Sequence, residues 1–244
     1  MYSTRDIVKD PASMGETLKA LAEMGYQGVE FFTYESTGPQ QLRQMLEQTG
    51  LEAIGTHVHK PRWEADTDGE IAYAQAAGIP CLVYPWVCPE DRTEAFFRDL
   101  PRELERLAEK CAEKGIRLQY HNHDFEFAPL GEGRVVDHLL AASNAYDFEL
   151  DTFWAQFVGV DAPAFMKQLG GRIQMIHIKD YTGVDEQGYP QITAIGQGVL
   201  NNVPIVQTAR EMDKDWLIVE LDESPWPPLE SARRSIEYLR SILK

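Results

Sequence analysis

The chain has 244 residues, of which 39 are acidic and 23 are basic, so its formal net charge is -16. This charge argues against nucleic acid as a partner, because phosphates are bound by clustered lysines and arginines. No apolar run approaches the roughly 18 residues of a membrane helix, and the start, MYSTRDIVKD, lacks the apolar region of a secretory signal. The three cysteines form no CxxC motif, which suits a reducing compartment. We therefore expect a cytoplasmic protein without membrane contact.

A helical stretch that ends in glycine and runs into a short apolar segment recurs along the chain. Examples are KALAEMGYQGVEFF, YAQAAGIPCLVYPW and AEKCAEKGIRLQYHNH. Glycine at this position is typical of the left-handed residue that ends a helix, and the apolar runs resemble strands buried on both faces. We predict strands, in chain order, near 27–33, 52–58, 80–86, 116–122, 147–152, 173–179 and 216–221.

Strands that alternate with helices predict a parallel sheet built from βαβ units. If a short eighth strand is counted at Met1–Thr4, the 244 residues divide into units of about 30 residues, the size of one βαβ step. We predict one domain over residues 1–244, an α/β protein with the (β/α)8 TIM barrel fold and a shortened first strand. The rival fold, a doubly wound sheet, is disfavoured because no GxGxxG motif follows the first strand.

Polar residues stand at the predicted strand ends, where the active site of such a barrel lies. Period-two alternation places one imidazole or carboxylate from each of the last four strands on the inward face. These residues are His121, Asp151, His177 and Glu220. Such a set suits Mn2+ first, and also Co2+, Zn2+ or Fe2+, rather than Mg2+ or Ca2+. Taken singly, Asp151 also fits a helix cap and Glu220 fits a salt bridge across the barrel.

Other residues near the same strand ends are candidates for substrate binding: Glu30, His57, Trp86, Trp154 and Asp222. Tryptophan rings at a barrel mouth often stack on sugar faces, but core packing explains them equally well. His57 fits equally well as a polar residue that is satisfied inside the protein. The segment from Gly196 to Gly198 is either a loop near a ligand or only a tight turn.

Five segments in a fixed order carry a family resemblance: GYQGVEFF, GIRLQYHNHDFEF, FELDTFWA, RIQMIHIKD with a later GQG, and IVELDES. The chain resembles, over nearly its whole length, the sugar phosphate isomerases and epimerases of the xylose-isomerase-like barrel superfamily. The resemblance implies a divalent metal held by Glu, Asp, His and Glu, the last three matching Asp151, His177 and Glu220. His121 stands where the first Glu is expected, which weakens a relay between two glutamates. Glu126, a few residues later, is a substrate-binding candidate that would supply a carboxylate.

The first functional hypothesis is a metal-dependent isomerase or epimerase that acts on a keto-sugar or related polyol ketone through an enediolate. Glu220 would be the catalytic base, and His123 or Lys179 would act on the opposite side of the substrate. The alternative interpretation of Lys179 is a salt bridge to Asp180 or Asp222. The superfamily also includes a DNA-repair endonuclease, and a net charge of -16 argues against that branch.

Two other hypotheses share the scaffold. One is a metal-dependent lyase, an inosose dehydratase or an enzyme that eliminates from 3-keto-glycosides, which His121 favours because an imidazole can protonate a leaving oxygen. The other is a sugar-binding barrel without catalysis. In each case the partner is a small carbohydrate, and self-association into a homo-oligomer stays open.

Overall fold

The computed structural model describes residues 1–34 and 37–243. The strands of this part are β1 (Gly28–Phe31), β2 (Glu52–His57), β3 (Cys81–Tyr84), β4 (Arg117–His121), β5 (Pro129–Leu130), β6 (Gly133–Arg134), β7 (Asp147–Asp151), β8 (Ile173–Ile178), β9 (Asp180–Val184), β10 (Pro190–Thr193) and β11 (Trp216–Val219). The α-helices are α1 (Pro11–Met24), α2 (Pro39–Thr49), α3 (Lys60–Ala77), α4 (Glu94–Ala112), α5 (Val135–Ala142), α6 (Thr152–Phe157), α7 (Ala162–Leu169), α8 (Val203–Glu211) and α9 (Pro228–Ile242). Among the described helices, none combines the length and the hydropathy needed to cross a bilayer.

The central sheet follows chain order around a nearly closed barrel. Its strands pair in the order β1-β2-β3-β4-β7-β8-β11, and each of these pairings is parallel. Each of these strands lies within a predicted strand segment. The order never reverses, as it would at the switch point of a doubly wound sheet. The TIM barrel prediction is confirmed.

The expected stub of a first strand at Met1–Thr4 is wrong, because Tyr2–Thr4 form a turn of 3-10 helix. Local hydrogen bonds favour this turn, since the Thr4 hydroxyl donates to the Met1 carbonyl oxygen at 3.0 Å. The segment still reaches both edges of the sheet. The Met1 amino group donates to the carbonyl oxygen of Glu30 at 2.5 Å, and the amide of Leu221 donates to the Ser3 hydroxyl at 2.9 Å. Individual hydrogen bonds to the two edge strands therefore replace the continuous backbone pairing that an eighth strand would form.

Helix α1 shows how local sequence sets the helix boundaries. The Asp10 carboxylate accepts a hydrogen bond from the Ser13 amide at 2.8 Å, and the Ser13 hydroxyl accepts one from the Asp10 amide at 3.1 Å. This reciprocal capping box begins the helix. The helix ends at Gly25, whose φ of 89° lies in the left-handed region that the recurring glycine predicts. Met14 and Leu18 on the buried face join the main hydrophobic core.

The loop that contains Gly196 and Gly198 is organised by a buried carboxylate. Asp180 accepts hydrogen bonds of 2.9 to 3.0 Å from the backbone amides of Tyr181, Gly196, Gly198 and Leu200. Asp180 is fully buried, so these four donors replace the water that its charge would otherwise require. The GQG segment is thus a tight loop built around Asp180, and Asp180 is not the salt-bridge partner of Lys179.

Replacing Gly198 by alanine is expected to destabilise the protein by about 1–3 kcal/mol, the usual range for overpacking. A β-carbon there would lie 2.2 Å from Asp180 Oδ1 and 2.4 Å from the Tyr181 carbonyl oxygen. Gly171→Ala is the control, because a β-carbon at Gly171 meets no atom within 4 Å. Urea unfolding of both variants measures the difference, and equal stabilities would contradict the role of the loop.

Candidate active site

A cleft of about 1050 Å³ opens at the carboxyl ends of the barrel strands. Its walls carry aromatic side chains, and its floor carries ionisable ones. The aromatic residues are Tyr2, Phe32, Trp86, Trp154 and Tyr189. The ionisable residues from the strand ends are His57, His59, His121, His123, Glu220 and Asp222. A cleft of this size and lining is typical of a site for a small molecule.

The four residues predicted to bind metal, His121, Asp151, His177 and Glu220, lie together and are called here the predicted quartet. All four are buried, and one donor atom from each lies within 4.8 Å of the others. His177 Nδ1 lies 2.8 Å from Glu220 Oε2, and His121 Nε2 lies 3.9 Å from Asp151 Oδ2. The quartet spans four neighbouring strand ends, so the barrel itself sets its geometry.

Asp151 combines two of the roles considered from the sequence. Its Oδ1 accepts hydrogen bonds from the amides of Phe153 and Trp154, at 2.8 and 3.1 Å, and so caps helix α6. Its Oδ2 accepts no hydrogen bond from the described residues and lies 3.2 Å from Lys179 Nζ. Oδ1 of Asp151 therefore caps the helix, and this contact orients Oδ2 towards the other quartet residues.

Lys179 lies fully buried among three carboxylates. Its Nζ is 2.9 Å from Glu220 Oε2, 3.1 Å from Asp222 Oδ1 and 3.2 Å from Asp151 Oδ2. Burial disfavours the ammonium, but Asp151, Asp222 and Glu220 outweigh burial and raise the pKa of Lys179 well above its usual value. Conversely, burial disfavours the Glu220 carboxylate, but Lys179 and His177 hold its pKa well below the usual range. Both side chains are therefore charged at neutral pH.

A second group of buried side chains lies next to the quartet and shares two of its members. It consists of His57, His121, Glu149 and His177 and is called here the inner cluster. Glu149 Oε2 lies 3.1 Å from His57 Nε2, 2.9 Å from His121 Nδ1 and 3.3 Å from His177 Nε2. Burial opposes charge on these rings, but Glu30 and Glu149 raise the pKa of His57 to about 10.

The sequence prediction missed Glu149, although its signal was present. In FELD, Glu149 precedes Asp151 by two residues, so the two side chains point to the same face of β7. Our prediction took one imidazole or carboxylate from each of the last four strands, and on β7 that residue was Asp151. Glu149 is fully buried one step deeper, where a carboxylate is costly unless it is paired.

The substrate-binding candidates fall into two groups. Trp86, Trp154 and Asp222 line the cleft, and His57 borders it but is buried, with its Nε2 3.1 Å from Glu149 Oε2. Glu30 instead lies beside the inner cluster, with its Oε2 3.1 Å from His57 Nε2 and 3.0 Å from His177 Nε2.

His123 stands in an aromatic wall of the cleft. Its ring centroid lies 4.6 Å from that of Trp86, 5.7 Å from that of Phe125 and 5.8 Å from that of Trp154. Burial, with help from His121, lowers the pKa of His123 well below its usual value. The imidazole is therefore neutral at physiological pH, so it can donate a hydrogen bond from one ring nitrogen and accept one at the other.

Glu126 lies behind this wall and does not line the cleft. It is fully buried, and it accepts hydrogen bonds from the Tyr120 hydroxyl at 2.5 Å and from the His123 amide at 2.7 Å. These contacts show how Glu126 positions the chain that carries His123. Burial raises the pKa of Glu126 to about 8, partly opposed by the two hydrogen bonds.

Glu126 is expected to make stability fall as pH rises. Its folded-state pKa of about 8 exceeds the ordinary glutamate pKa of 4.5, so the native state retains a proton that the unfolded state has lost. This contribution to stability is fully present below about pH 4.5 and is lost as the pH rises through about 8. The slope is about 1.4 kcal/mol per pH unit in that window. Urea unfolding of the protein and of Glu126→Gln across this range checks the prediction, and parallel pH profiles would contradict it.

Comparison with known proteins identifies the family. Residues 18–242 match the family model described as xylose isomerase-like TIM barrel. The chain belongs to this family. The resemblance seen in the sequence motifs is thus confirmed.

Individual relatives show enzymes on this scaffold. An inosose dehydratase from Geobacillus kaustophilus is 26% identical over 275 residues, covering 96% of this chain and 89% of that protein. A crystal structure of a sugar phosphate isomerase/epimerase from Parabacteroides distasonis is 22% identical, with a TM-score of 0.80, and covers 100% of this chain and 93% of that one. An IolI protein crystallised with a zinc atom is 14% identical, with a TM-score of 0.74, and covers 99% of this chain and 95% of that one. The structural likenesses establish the shared fold.

Proposed function

We propose that this protein is a divalent-metal-dependent isomerase or epimerase that acts on a keto-sugar or related polyol ketone through an enediolate. The observation that carries the proposal is the convergence of the predicted quartet beside the floor of a cleft of about 1050 Å³. The cleft has both parts that such a substrate needs: aromatic walls that suit a sugar ring, and ionisable groups that suit its hydroxyls.

The residues of the quartet fit a divalent transition metal. Two imidazoles and two carboxylates are the ligands that Mn2+, Co2+, Zn2+ and Fe2+ accept, with Mn2+ as our first choice. Asp151 Oδ2 is buried and accepts no hydrogen bond from the described residues, so beside its ion pair with Lys179 at 3.2 Å it has a lone pair to offer a cation. When bound, the metal would polarise the substrate carbonyl and stabilise negative charge on its oxygen.

Glu220 is the proposed base. It is ionised at neutral pH, is almost fully buried and lines the cleft. A carboxylate in this state can accept the proton from the carbon next to the ketone. Lys179, which holds Glu220 at 2.9 Å, would bind a substrate oxygen or return a proton.

The opposite side of the cleft would position the substrate. Trp86 and Trp154 flank the neutral ring of His123 and offer apolar faces for a sugar. His123 would donate a hydrogen bond from its neutral ring to a substrate hydroxyl, and the Lys179 ammonium would be the group that returns a proton. Asp222, bound to Lys179 at 3.1 Å, would accept hydrogen bonds from substrate hydroxyls.

A lyase is the second candidate, and two observations favour it. Two relatives are named inosose dehydratases: the Geobacillus kaustophilus protein, 26% identical with 96% of this chain covered, and one from Mesomycoplasma hyopneumoniae, 25% identical with 95% of this chain covered. Moreover, a histidine, His121, occupies the quartet position where a second glutamate would act as a base. Removal of a proton by Glu220 followed by loss of a β-hydroxyl or glycosyl group requires only one base and one acid.

The expected subcellular setting is a reducing one. Cys81 and Cys111 are buried, Cys88 is half-buried, and all three are free thiols. A reducing compartment keeps such thiols unpaired, so we propose that the protein acts in the cytoplasm.

The decisive experiment incubates the Mn2+-treated protein in D2O with keto-sugars, keto-inositols and 3-keto-glycosides. Deuterium incorporation next to the ketone with an otherwise unchanged product mass would support the isomerase or epimerase. Loss of water or of an alcohol would support the lyase instead. Binding of a ketone without deuterium exchange or product would overturn both and leave a catalytically silent sugar-binding barrel.

A further inference from the structure

The inner cluster has the spacing of ligands around a single ion. Zinc ligands lie about 2.0–2.1 Å from the metal, so neighbouring donor atoms lie about 3.0–3.4 Å apart. Around Glu149 Oε2 the distances to His57 Nε2, His121 Nδ1 and His177 Nε2 are 3.1, 2.9 and 3.3 Å. Glu30 Oε2 lies at 3.1 and 3.0 Å from the nitrogens of His57 and His177 and would add a fifth donor.

Several contacts in the inner cluster are short without being hydrogen bonds. His121 Nδ1 lies 2.9 Å from Glu149 Oε2, yet it has no hydrogen-bond partner among the described residues. Oε1 of Glu149 and Oε1 of Glu30 are likewise buried and without a partner in that part of the chain. Buried polar atoms without partners are rare in proteins, and an ion is one of the accepted reasons for them.

The inner cluster differs from the group of carboxylates around Lys179, called here the outer part of the site, in its lack of a neighbouring lysine or arginine. Lys179 contacts Asp151, Glu220 and Asp222 in the outer part. No lysine or arginine among the described residues forms an ion pair with Glu30 or Glu149; their ion-pair partners are histidines, and the two carboxyl groups also lie within hydrogen-bonding reach of each other. The amino group of Met1 donates to the backbone oxygen of Glu30. Two buried carboxylates therefore require either protonated imidazoles or a cation.

The two shared imidazoles present a different nitrogen to each group. His121 directs Nδ1 to Glu149 and Nε2 to Asp151. His177 directs Nε2 to Glu149 and Nδ1 to Glu220. The donor atoms of the inner cluster are therefore distinct from those of the predicted quartet, although two residues are common to both.

We propose that His57, His121, Glu149 and His177 form a transition-metal site of their own, beside the predicted quartet inside the barrel. Three imidazoles and one carboxylate favour Zn2+ or a similar imidazole-preferring ion. The site does not depend on the proposed reaction. An ion there compensates the charges of Glu30 and Glu149 and fixes the rings of His121 and His177.

Zinc binding to four variants tests this proposal. His57→Gln and Glu149→Gln alter only the inner cluster, whereas Asp151→Asn and Glu220→Gln alter only the quartet. The matched control is Glu126→Gln, a buried carboxylate that belongs to neither group. Full-length proteins are stripped with EDTA, titrated with Zn2+ and analysed for bound zinc. We expect the inner-cluster variants to lose one equivalent, or at least about 10- to 100-fold in affinity, since even residues behind metal ligands contribute that much.

The outcomes separate this inference from the proposed function. Zinc lost from the inner-cluster variants but kept by the quartet variants and by Glu126→Gln supports the inner site and counts against the metal centre of the proposed function. If the unaltered protein binds two equivalents, loss of one from each pair supports both sites, with His121 and His177 bridging the two ions as imidazolates. If it binds one equivalent that all four variants lose, the ion is shared with the quartet and a separate inner site is overturned. Zinc lost only from the quartet variants, or no zinc bound by the unaltered protein, overturns the inner site. Anomalous diffraction at the zinc edge from crystals of the unaltered protein locates the ion directly and decides the matter even if a variant fails to fold.

Discussion

Glu220→Gln is expected to lower turnover by about 10²- to 10⁴-fold, the usual contribution of a catalytic acid or base. The amide cannot accept the substrate proton, and it weakens the quartet by one carboxylate ligand. Deuterium exchange next to the ketone should fall by the same factor, because exchange requires the same proton removal. Steady-state kinetics and exchange in D2O, both at saturating Mn2+, measure the effect.

The control for this prediction is Glu223→Gln, which makes the same chemical change at an exposed position on the rim of the cleft. It should retain nearly full proton exchange. The pH profile gives an independent check, because Lys179 and His177 overcome the effect of burial and hold the pKa of Glu220 well below its usual range. Activity should therefore persist as the pH falls through the normal range of glutamate. Unchanged exchange in Glu220→Gln would exclude Glu220 as the base.

Lys179→Met is expected to destabilise the metal-free protein by about 3–5 kcal/mol, the usual cost of removing one partner from a buried ion pair. The methionine leaves Asp151, Glu220 and Asp222 without their shared cation. Divalent metal should stabilise the variant more than it stabilises the unaltered protein, because a dication restores the missing positive charge. Urea unfolding in EDTA and in excess Mn2+ measures both effects.

The sign of the pH dependence follows from the pKa of Lys179. Because that pKa is raised well above its usual value, the stabilisation is fully present below the unfolded pKa of about 10.4. It is lost only as the pH rises through the higher folded pKa. The difference between Lys179→Met and the unaltered protein should thus stay constant near neutral pH and shrink in acid, as the carboxylates become protonated.

Lys167→Met is the matched control for this experiment. Lys167 pairs with Glu211 at 3.1 Å, but both side chains are more than half exposed, at 58% and 63%. Water already screens such a pair, so its removal should change stability by no more than about 0.5 kcal/mol. Equal losses for Lys167→Met and Lys179→Met would contradict the proposed role of the buried lysine.

Much of the fold could be read from the sequence because its signals are local. A helix that ends in glycine and a short apolar strand need only neighbouring residues to be recognised, and their repetition predicts the parallel barrel. The same holds for the quartet. Strand alternation and strand ends are local properties, so His121, Asp151, His177 and Glu220 could be placed on one face before any contact was known.

Three details depended on contacts that the strand pattern of the sequence does not reveal. Met1–Thr4 forms a turn because its hydrogen bonds are local, although its position is that of a strand. Glu126 turns away from the cleft because Tyr120 and the His123 amide bind it. Lys179 pairs with Asp222 because the neighbouring Asp180 is engaged by four backbone amides. The position of a polar residue next to a strand end therefore does not predict which residue it contacts.

The inner cluster shows the limit most clearly. Alternation along β7 alone indicates that Glu149 faces inward with Asp151. Only closure of the barrel brings Glu149 within 3.1 Å of His57, which lies 92 residues earlier in the chain. The sequence by itself determined the barrel, the inward faces and the four quartet residues, because periodicity and strand ends can be recognised from neighbouring residues alone. The tertiary structure decided which inward residues meet, because those distances depend on how strands from opposite sides of the barrel curve towards one another.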